Sequence, residues 1–144
     1  MSYTQRFDEY TKLLSCNIYE GVTTEQNTTF VNVKNYRRLA IVIKTLDVGT
    51  TLDADVEVTT DGVTAGLFTL KSITQLASGD DDEKVVINIR DEELSKPSGA
   101  SSDQYDYVRV ETTPSGAATY VVMVFGLEPR YAPVGTTEWD QVVA

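Results

Sequence analysis

Two clusters of carboxylates are the residues of this chain whose types and spacing could support chemistry. The first, Asp80-Asp81-Asp82-Glu83, offers several acidic oxygens, which calcium prefers as ligands. It lacks the Asp-x-Asp-x-Asp-Gly spacing of a calcium loop, and adjacent residues of an extended chain point to opposite sides. We therefore predict a solvated turn at 80–83 and no metal site.

The second cluster, Asp91-Glu92-Glu93, raises the question of glycoside hydrolysis. Such enzymes hold two carboxylates roughly 5–10 Å apart in a cleft. A chain with 22 acidic residues offers such pairs by chance, and no aromatic platform accompanies these three. The pattern favours a single helical turn at 91–94 and no catalytic pair.

The residue types that the chain lacks narrow the chemistry further. It has no histidine, which is the commonest general base near neutral pH and a common metal ligand. Its single cysteine, Cys16, allows neither an internal disulfide nor a thiolate metal cage, and we expect it to pack at a strand edge. No phosphate loop, dinucleotide fingerprint or nucleophile elbow is present. The sequence predicts a protein that is not an enzyme and uses no cofactor.

Size and charge restrict the partners. The 144 residues suit a single domain, 1–144, and the net charge of −10 disfavours binding to phosphate backbones. The candidates for a basic patch, Lys34, Arg37, Arg38 and Lys44, are expected to be scattered strand-edge charges. No apolar run approaches the roughly 18 residues of a membrane span, and the first residues lack the apolar core of a signal peptide. We expect no nucleic acid, no membrane, and synthesis in a cytoplasm.

The spacing of apolar residues predicts strands. Over 52–59 apolar and polar residues alternate, which indicates one buried and one wet face, the wet one formed by Asp53, Asp55, Glu57 and Thr59. Strand-like runs also occupy 28–33, 38–45, 67–76 and 85–89. The run at 38–45 has the five consecutive apolar residues of a strand covered on both faces, and the run at 67–76 needs a bulge.

Residues 105–125 carry the strongest signal for the fold. Val108 and Val110 alternate with charged residues, Pro114 and Gly116 suit a turn, and 120–125 is apolar on both faces, as in a central strand. We interpret this segment as a β-hairpin, with Tyr105 and Tyr120 capping the core. The fold class is therefore all-β: an antiparallel β-sandwich or jelly-roll-like domain of about eight strands, with short helical or extended terminal arms.

The two ends of the chain differ from its middle. Residues 1–14 place Tyr3, Phe7, Tyr10 and Leu14 at helical spacing, so this arm either folds back on its own domain or docks on a neighbouring subunit. Residues 127–144 form a proline-punctuated tail beyond the last strand. Aromatic residues there have less core to fill. The candidate protein-interface residues are Tyr3, Phe7, Tyr10, Arg130, Tyr131 and Trp139.

Several segments, in this order, resemble small head proteins of tailed bacteriophages, of the capsid decoration (cement) type. They span about two thirds of the chain, and none is a catalytic signature. The matching pieces are Asn35-Tyr36-Arg37-Arg38-Leu-Ala-Ile-Val, Gln75-Leu76, Val85-Val-Ile-Asn-Ile-Arg-Asp-Glu-Glu-Leu94, Tyr107-Val-Arg-Val110 and Pro129-Arg-Tyr-Ala-Pro133.

The resemblance implies a non-enzymatic virion protein that binds the outside of an assembled shell. Its partner would be the major capsid protein, and such proteins often sit as homotrimers that bridge capsomers. The expected location is the capsid exterior. Two alternatives stay open: a head–tail joining or tail protein, and a carbohydrate-binding β-sandwich that uses tyrosines as a platform.

Overall fold

The computed structural model describes residues 10–95 and 104–129, which form two facing antiparallel sheets. The all-β prediction is confirmed. The strands are β1 Thr11–Val22, β2 Gln26–Asn27, β3 Val31–Asn32, β4 Tyr36–Val48, β5 Thr51–Thr59, β6 Phe68–Ser72, β7 Leu76–Ala77, β8 Lys84–Arg90, β9 Tyr107–Ser115 and β10 Ala118–Pro129. A short 3₁₀ helix, Asp91–Leu94, follows β8 and confirms the predicted helical turn.

The strand order is that of a jelly roll. Sheet A runs β1-β10-β4-β8 and sheet B runs β2-β9-β5-β6, so that the chain crosses repeatedly between the two sheets. The short strands β2 and β3 both lie along β9, and β6 and β7 both lie along β5. Each pair is one interrupted edge, so the ten strands occupy eight positions, as the sequence predicts.

The core lies between the two sheets and uses the alternating residues that the sequence singles out. Leu52, Ala54, Val56 and Val58 of β5 are buried. Tyr120 is completely buried at the centre of sheet A, and its hydroxyl shares a 2.6 Å hydrogen bond with that of Thr112. Burial raises the pKa of Tyr120. Tyr105 is also buried, so both predicted core tyrosines are confirmed.

The predicted hairpin at 105–125 is wrong in its pairing. β9 lies in sheet B beside β5, whereas β10 lies in sheet A between β1 and β4, so the chain crosses the sandwich between them. Pro114 lies within β9 opposite Leu52, and the turn comes at Gly116, where φ is +83°. Each strand is flanked on both sides in its own sheet, which leaves no edge for the other. The prediction that 120–125 is a central strand is confirmed.

The predicted strand at 28–33 is confirmed only in part, as the short strand β3. At Thr28 one backbone bond and one side-chain bond join the chain to β9: the N–H of Thr28 donates to Val110 O, and the N–H of Val110 donates to Thr28 Oγ1. The long strand that precedes β4 is β1, which begins at Thr11. Residues 11–14 are therefore not part of a helical arm, because their pairing with β10 holds them in the sheet. Residues 1–9 lie outside the described part of the chain.

Two further boundaries differ from expectation. β10 continues to Pro129 by pairing with Tyr36, so 127–129 belong to the sandwich rather than to a tail, and 130–144 lie outside the described residues. The run at 67–76 is divided into β6 and β7. A register shift between Val56 and Glu57, opposite β6, confirms the predicted bulge.

Candidate interaction surface

The acidic turn at 80–83 uses its carboxylates to hold the turn itself. Asp80 accepts a 2.7 Å bond from the backbone N–H of Ala77, and Asp81 accepts a 2.9 Å bond from that of Val48. Asp82 pairs with Lys44, whose hydrogen bond and charge lower the pKa of Asp82. Within the described ranges, no group of three or more potential ligand side chains could hold a metal ion. This arrangement agrees with the predicted turn.

The second acidic cluster ties the 3₁₀ helix to both sheets. Glu93 accepts a 2.8 Å bond from the backbone N–H of Arg90 and lies 2.9 Å from Lys71 Nζ on β6. The hydrogen bond from Lys71, followed by that from Arg90, lowers the pKa of Glu93. Glu92 is an exposed partner of Arg90. These contacts are structural: they join the end of β8 to the opposite sheet.

The outer face of sheet B contains a charged pair that is almost fully enclosed. Arg109 Nε donates to Glu57 Oε1 at 2.9 Å, the side chains are only 12% and 11% exposed, and the guanidinium lies over the Phe30 ring. The alternation in the sequence predicts Glu57 and Thr59 on the wet face of β5, but both are buried. Arg109 explains the correction for Glu57, because its side chain pairs with that carboxylate and lies over the Phe30 ring.

The outer face of sheet A is different, because it is apolar. Residues that pair directly across strands point to the same side, so the register places twelve side chains on this face in three rows. We call this surface the apolar face. Its rows are Ile18, Val121, Lys44 and Lys84; Cys16, Met123, Val42 and Val86; and Leu13, Phe125, Ala40 and Asn88.

The apolar face has two properties that make it a candidate interaction surface. Ile18 is 67% exposed and Val86 59% exposed, although both are large aliphatic residues in a sheet. None of its twelve residues is acidic, in a chain with 22 carboxylates. Contiguous exposed apolar surface of this kind is typical of a docking site for another molecule.

Charged residues border the apolar face at both ends. At one end Lys44 pairs with Asp82, and at the other Arg38 lies 3.5 Å from Glu128. Arg37 and Arg38 are adjacent in β4 and so point to opposite sides. The prediction that the basic residues are scattered is consistent with this placement.

Sequence reasoning places the candidate interface elsewhere. Of those six residues only Tyr10 is described, and it lies partly buried just before β1. Tyr3, Phe7, Arg130, Tyr131 and Trp139 lie outside the described residues. The sequence pattern misses the apolar face, although the apolar run at 38–45 contains the signal. That run predicts strand residues covered on both sides, yet Ala40 and Val42 remain partly exposed. The expected packing of Cys16 is also wrong, because Cys16 lies in the middle of β1 and is exposed.

The described tyrosines do not form a platform for a sugar. None of the six is exposed, and Tyr36, Tyr105 and Tyr120 are buried. In the described ranges we also find no helix with the length and apolar character needed to cross a membrane.

Comparison with known proteins gives matches in structure only. No protein-family model matches the chain, and no curated protein matches its sequence. A structure of Broad Bean Stain Virus aligns with a TM-score of 0.47 and 7% identity, covering 99% of this chain and 97% of that chain. A structure of Bacillus endospore appendages, disulfide-linked pili, aligns with a TM-score of 0.45 and 14% identity, over 90% and 99% of the two chains.

A third similar structure is the N-terminal cellulose-binding domain of Cellulomonas fimi β-1,4-glucanase C. It aligns with a TM-score of 0.40 and 11% identity, covering 85% of this chain and 90% of that chain. With TM-scores below 0.5, these three structures do not assign a function to the chain.

Proposed function

We propose that this chain is a non-enzymatic structural protein of a tailed-phage virion, which binds the outer surface of the assembled capsid and bridges its capsomers. The single structural observation that supports the proposal is the apolar face, with Ile18 and Val86 exposed on a sheet that carries no acid in its three central rows. The resemblance of its sequence segments to decoration proteins supports the same role. The partner is the major capsid protein, and the active assembly is a homotrimer on the capsid exterior.

The mechanism is mass action. A subunit that binds only the assembled shell stabilises that state by its binding free energy, and many symmetric copies multiply a modest contact. Burial of the apolar face supplies affinity, at about 25 cal/mol for each Å² of apolar surface removed from water. The terminal segments, with Tyr3, Phe7 and Tyr10 before β1 and Arg130, Tyr131 and Trp139 after β10, add contacts to neighbouring subunits.

Replacing Ile18 with aspartate tests the apolar face. We expect the Ile18→Asp variant to fold normally, because an exposed position on an edge strand usually changes stability by less than about 0.5 kcal/mol. Its affinity for undecorated expanded shells should fall at least about tenfold, because docking would bury an unpaired carboxylate. Cosedimentation with shells measures the change.

Val63→Asp is the matched control, because Val63 is 51% exposed and lies in the loop between β5 and β6. Cys16, the only cysteine of the chain, gives an independent readout within the apolar face. Its labelling by a maleimide should slow when the protein is bound to shells. Normal decoration by Ile18→Asp would rule out this face as the shell contact, and wild-type protein that ignores shells would refute the proposed function.

Deleting residues 1–9 tests the contribution of the N-terminal arm. Because β1 begins at Thr11, the deletion spares every residue of the sandwich. We expect an unchanged unfolding midpoint and weaker binding to shells. A deletion of 1–14 is the contrasting variant, since it removes the pairing of Thr11 and Leu13 with β10 and should lower the midpoint. Undiminished decoration by the 1–9 deletion would show that the arm makes no contact.

A further inference from the structure

One side of the sandwich is open between the edge strand of each sheet. β8 is the last strand of sheet A, and β6 and β7 form the corresponding edge of sheet B. A groove of about 630 Å³ runs between them. Its apolar residues are Ile73 and Leu76 on one side and Val85, Val86 and Ile87 on the other.

The backbone of β8 presents unpaired groups to this groove. Glu83 O accepts from the N–H of Thr45 on β4, so the odd-numbered residues of β8 direct their backbone groups towards β4. The even-numbered residues therefore direct theirs outward, in agreement with the bond from Lys71 Nζ to Asn88 O at 2.7 Å. No residue in the described ranges pairs with the outward N–H and C=O of Lys84 and Val86.

The two ends of this edge differ in whether their outward backbone groups are hydrogen-bonded. At the Arg90 end, Glu93 accepts the outward N–H of Arg90, and Lys71 occupies Asn88 O. Those contacts block strand pairing there, as edge strands require. The stretch from Lys84 to Val86 has no such cover among the described residues, and the groove lies directly beside it.

We propose that the outer edge of β8, over Lys84–Val86, binds one extended segment of a partner polypeptide by strand addition. The segment carries apolar residues at alternate positions, which fill the groove, and at least one carboxylate. Charge supports that carboxylate: the described lining residues of the groove include no acid, and Lys84 lies at its end, whereas Lys71 is already paired with Glu93. The partner is another protein, and only its identification as the shell protein rests on the proposed function.

A second copy of this chain fits the edge poorly. β8 reads Lys-Val-Val-Ile-Asn-Ile-Arg, with a cation near each end and no anion. Antiparallel pairing of two β8 strands would bring Lys84 of one copy towards Arg90 of the other, and like charges across a strand pair are destabilising. A partner segment that carries a carboxylate would instead place opposite charges across the strand pair.

Val86→Pro tests the pairing directly. Proline removes the outward N–H of residue 86 and breaks no bond to β4, and edge strands tolerate proline where the N–H faces outward. Val86→Ala is the matched control, because it shortens the same side chain on the apolar face but keeps the N–H. We expect Val86→Pro to bind undecorated shells at least about tenfold more weakly than Val86→Ala, since it lacks one backbone donor and its ring crowds an incoming strand.

Two measurements separate the possible outcomes. In the wild type, amide hydrogen exchange at Val86 should be slower on decorated shells than in the free protein. Equal shell binding by Val86→Pro and Val86→Ala would overturn the groove proposal and leave the proposed function standing. Random 12-residue peptides selected on the immobilised full chain provide a test without shells. Alternating apolar peptides with an acid should be enriched and should fail to bind Val86→Pro. If no enriched peptide is sensitive to that change, strand addition is wrong whatever the protein does on capsids.

Native mass spectrometry and hydrogen exchange would also reveal other occupants of the outer edge of β8. An oligomer in the wild type that is lost in Val86→Pro, seen by native mass spectrometry, would make a second copy the occupant and overturn the choice of partner. Faster exchange at Val86 after deletion of 1–9 or 130–144 would assign the edge to the chain's own ends, with the same consequence.

Discussion

Replacing Arg109 with alanine is expected to lower the free energy of unfolding by about 3 kcal/mol, the usual cost of leaving an enclosed charge without its partner. Arg109 and Glu57 are bonded at 2.9 Å, and both side chains are almost fully enclosed. The variant also loses the contact between the guanidinium and the Phe30 ring. Urea or thermal unfolding of the purified domain measures the loss.

The same variant should show a characteristic dependence on pH. Burial, and then the charge of Glu57, raise the pKa of Glu111, while Arg109 opposes that rise. A carboxyl group whose pKa is higher in the folded than in the unfolded protein stabilises the fold at low pH. That contribution is lost as pH rises through the folded pKa. Without Arg109 the pKa of Glu111 rises further. The loss of unfolding free energy in Arg109→Ala should therefore be larger at pH 7 than at pH 4.5.

Glu111→Gln is the matched control. Glu111 lies 4.0 Å from Arg109 in the same cluster, but its side chain is more exposed than that of Glu57. Because this change removes a neighbouring like charge from Glu57, we expect little loss of stability or a slight gain. A deficit for Arg109→Ala below about 1 kcal/mol, the range of exposed ion pairs, would contradict the enclosed pair.

Replacing Gly126 with alanine is expected to cost about 2–3 kcal/mol, in the range of overpacked cores. Gly126 lies in β10 beneath the ring of Tyr36, and an added Cβ would approach Tyr36 Cδ1 to 2.6 Å. Tyr36 is only 8% exposed, so its ring cannot move aside without losing buried contacts. The backbone of Gly126 is not in the left-handed region, so the cost is steric.

A double-mutant cycle isolates the contact. Tyr36→Ala alone should be strongly destabilising, by about 3 kcal/mol or more, because it empties a site in the core. In that background Gly126→Ala should cost little or stabilise slightly, since alanine is favoured over glycine in a strand by roughly 0.5–1 kcal/mol. Additive effects of the two changes would show that the ring and the glycine are not in contact.

Local pattern was sufficient wherever one strand buries one face. The alternation over 52–58 predicts the inward residues of β5, and the doubly apolar run at 120–125 predicts a central strand. The pattern failed at Glu57, because a polar residue type does not reveal that Arg109 and Phe30 will enclose it. The hydrophobicity of a residue type gives only the preference of its side chain. The burial of Glu57 depends on Phe30 and Arg109, which lie 27 and 52 positions away in the sequence.

The candidate site was less predictable than the fold. The positions of the aromatic residues predict an interface at the two ends of the chain. The apolar face is instead formed by β1, β10, β4 and β8, which are distant in sequence. Ile18 and Val86 lie in strands that are distant in sequence, and they become one surface only through their pairing with Val121 and Val42.

The sequence by itself determined the all-β class, the approximate number of strands, and the lack of histidine and of a thiol pair that limits the chemistry. These properties follow from residue types and from a period of two, which any short segment displays. Only the tertiary structure decided which strands are partners. It separated β9 from β10 into opposite sheets, brought residues 11–14 into β1, and left the outer edge of β8 without a strand partner among the described residues. Strand pairing is settled by contacts between distant segments that compete for the same edges, and a local pattern does not contain that competition.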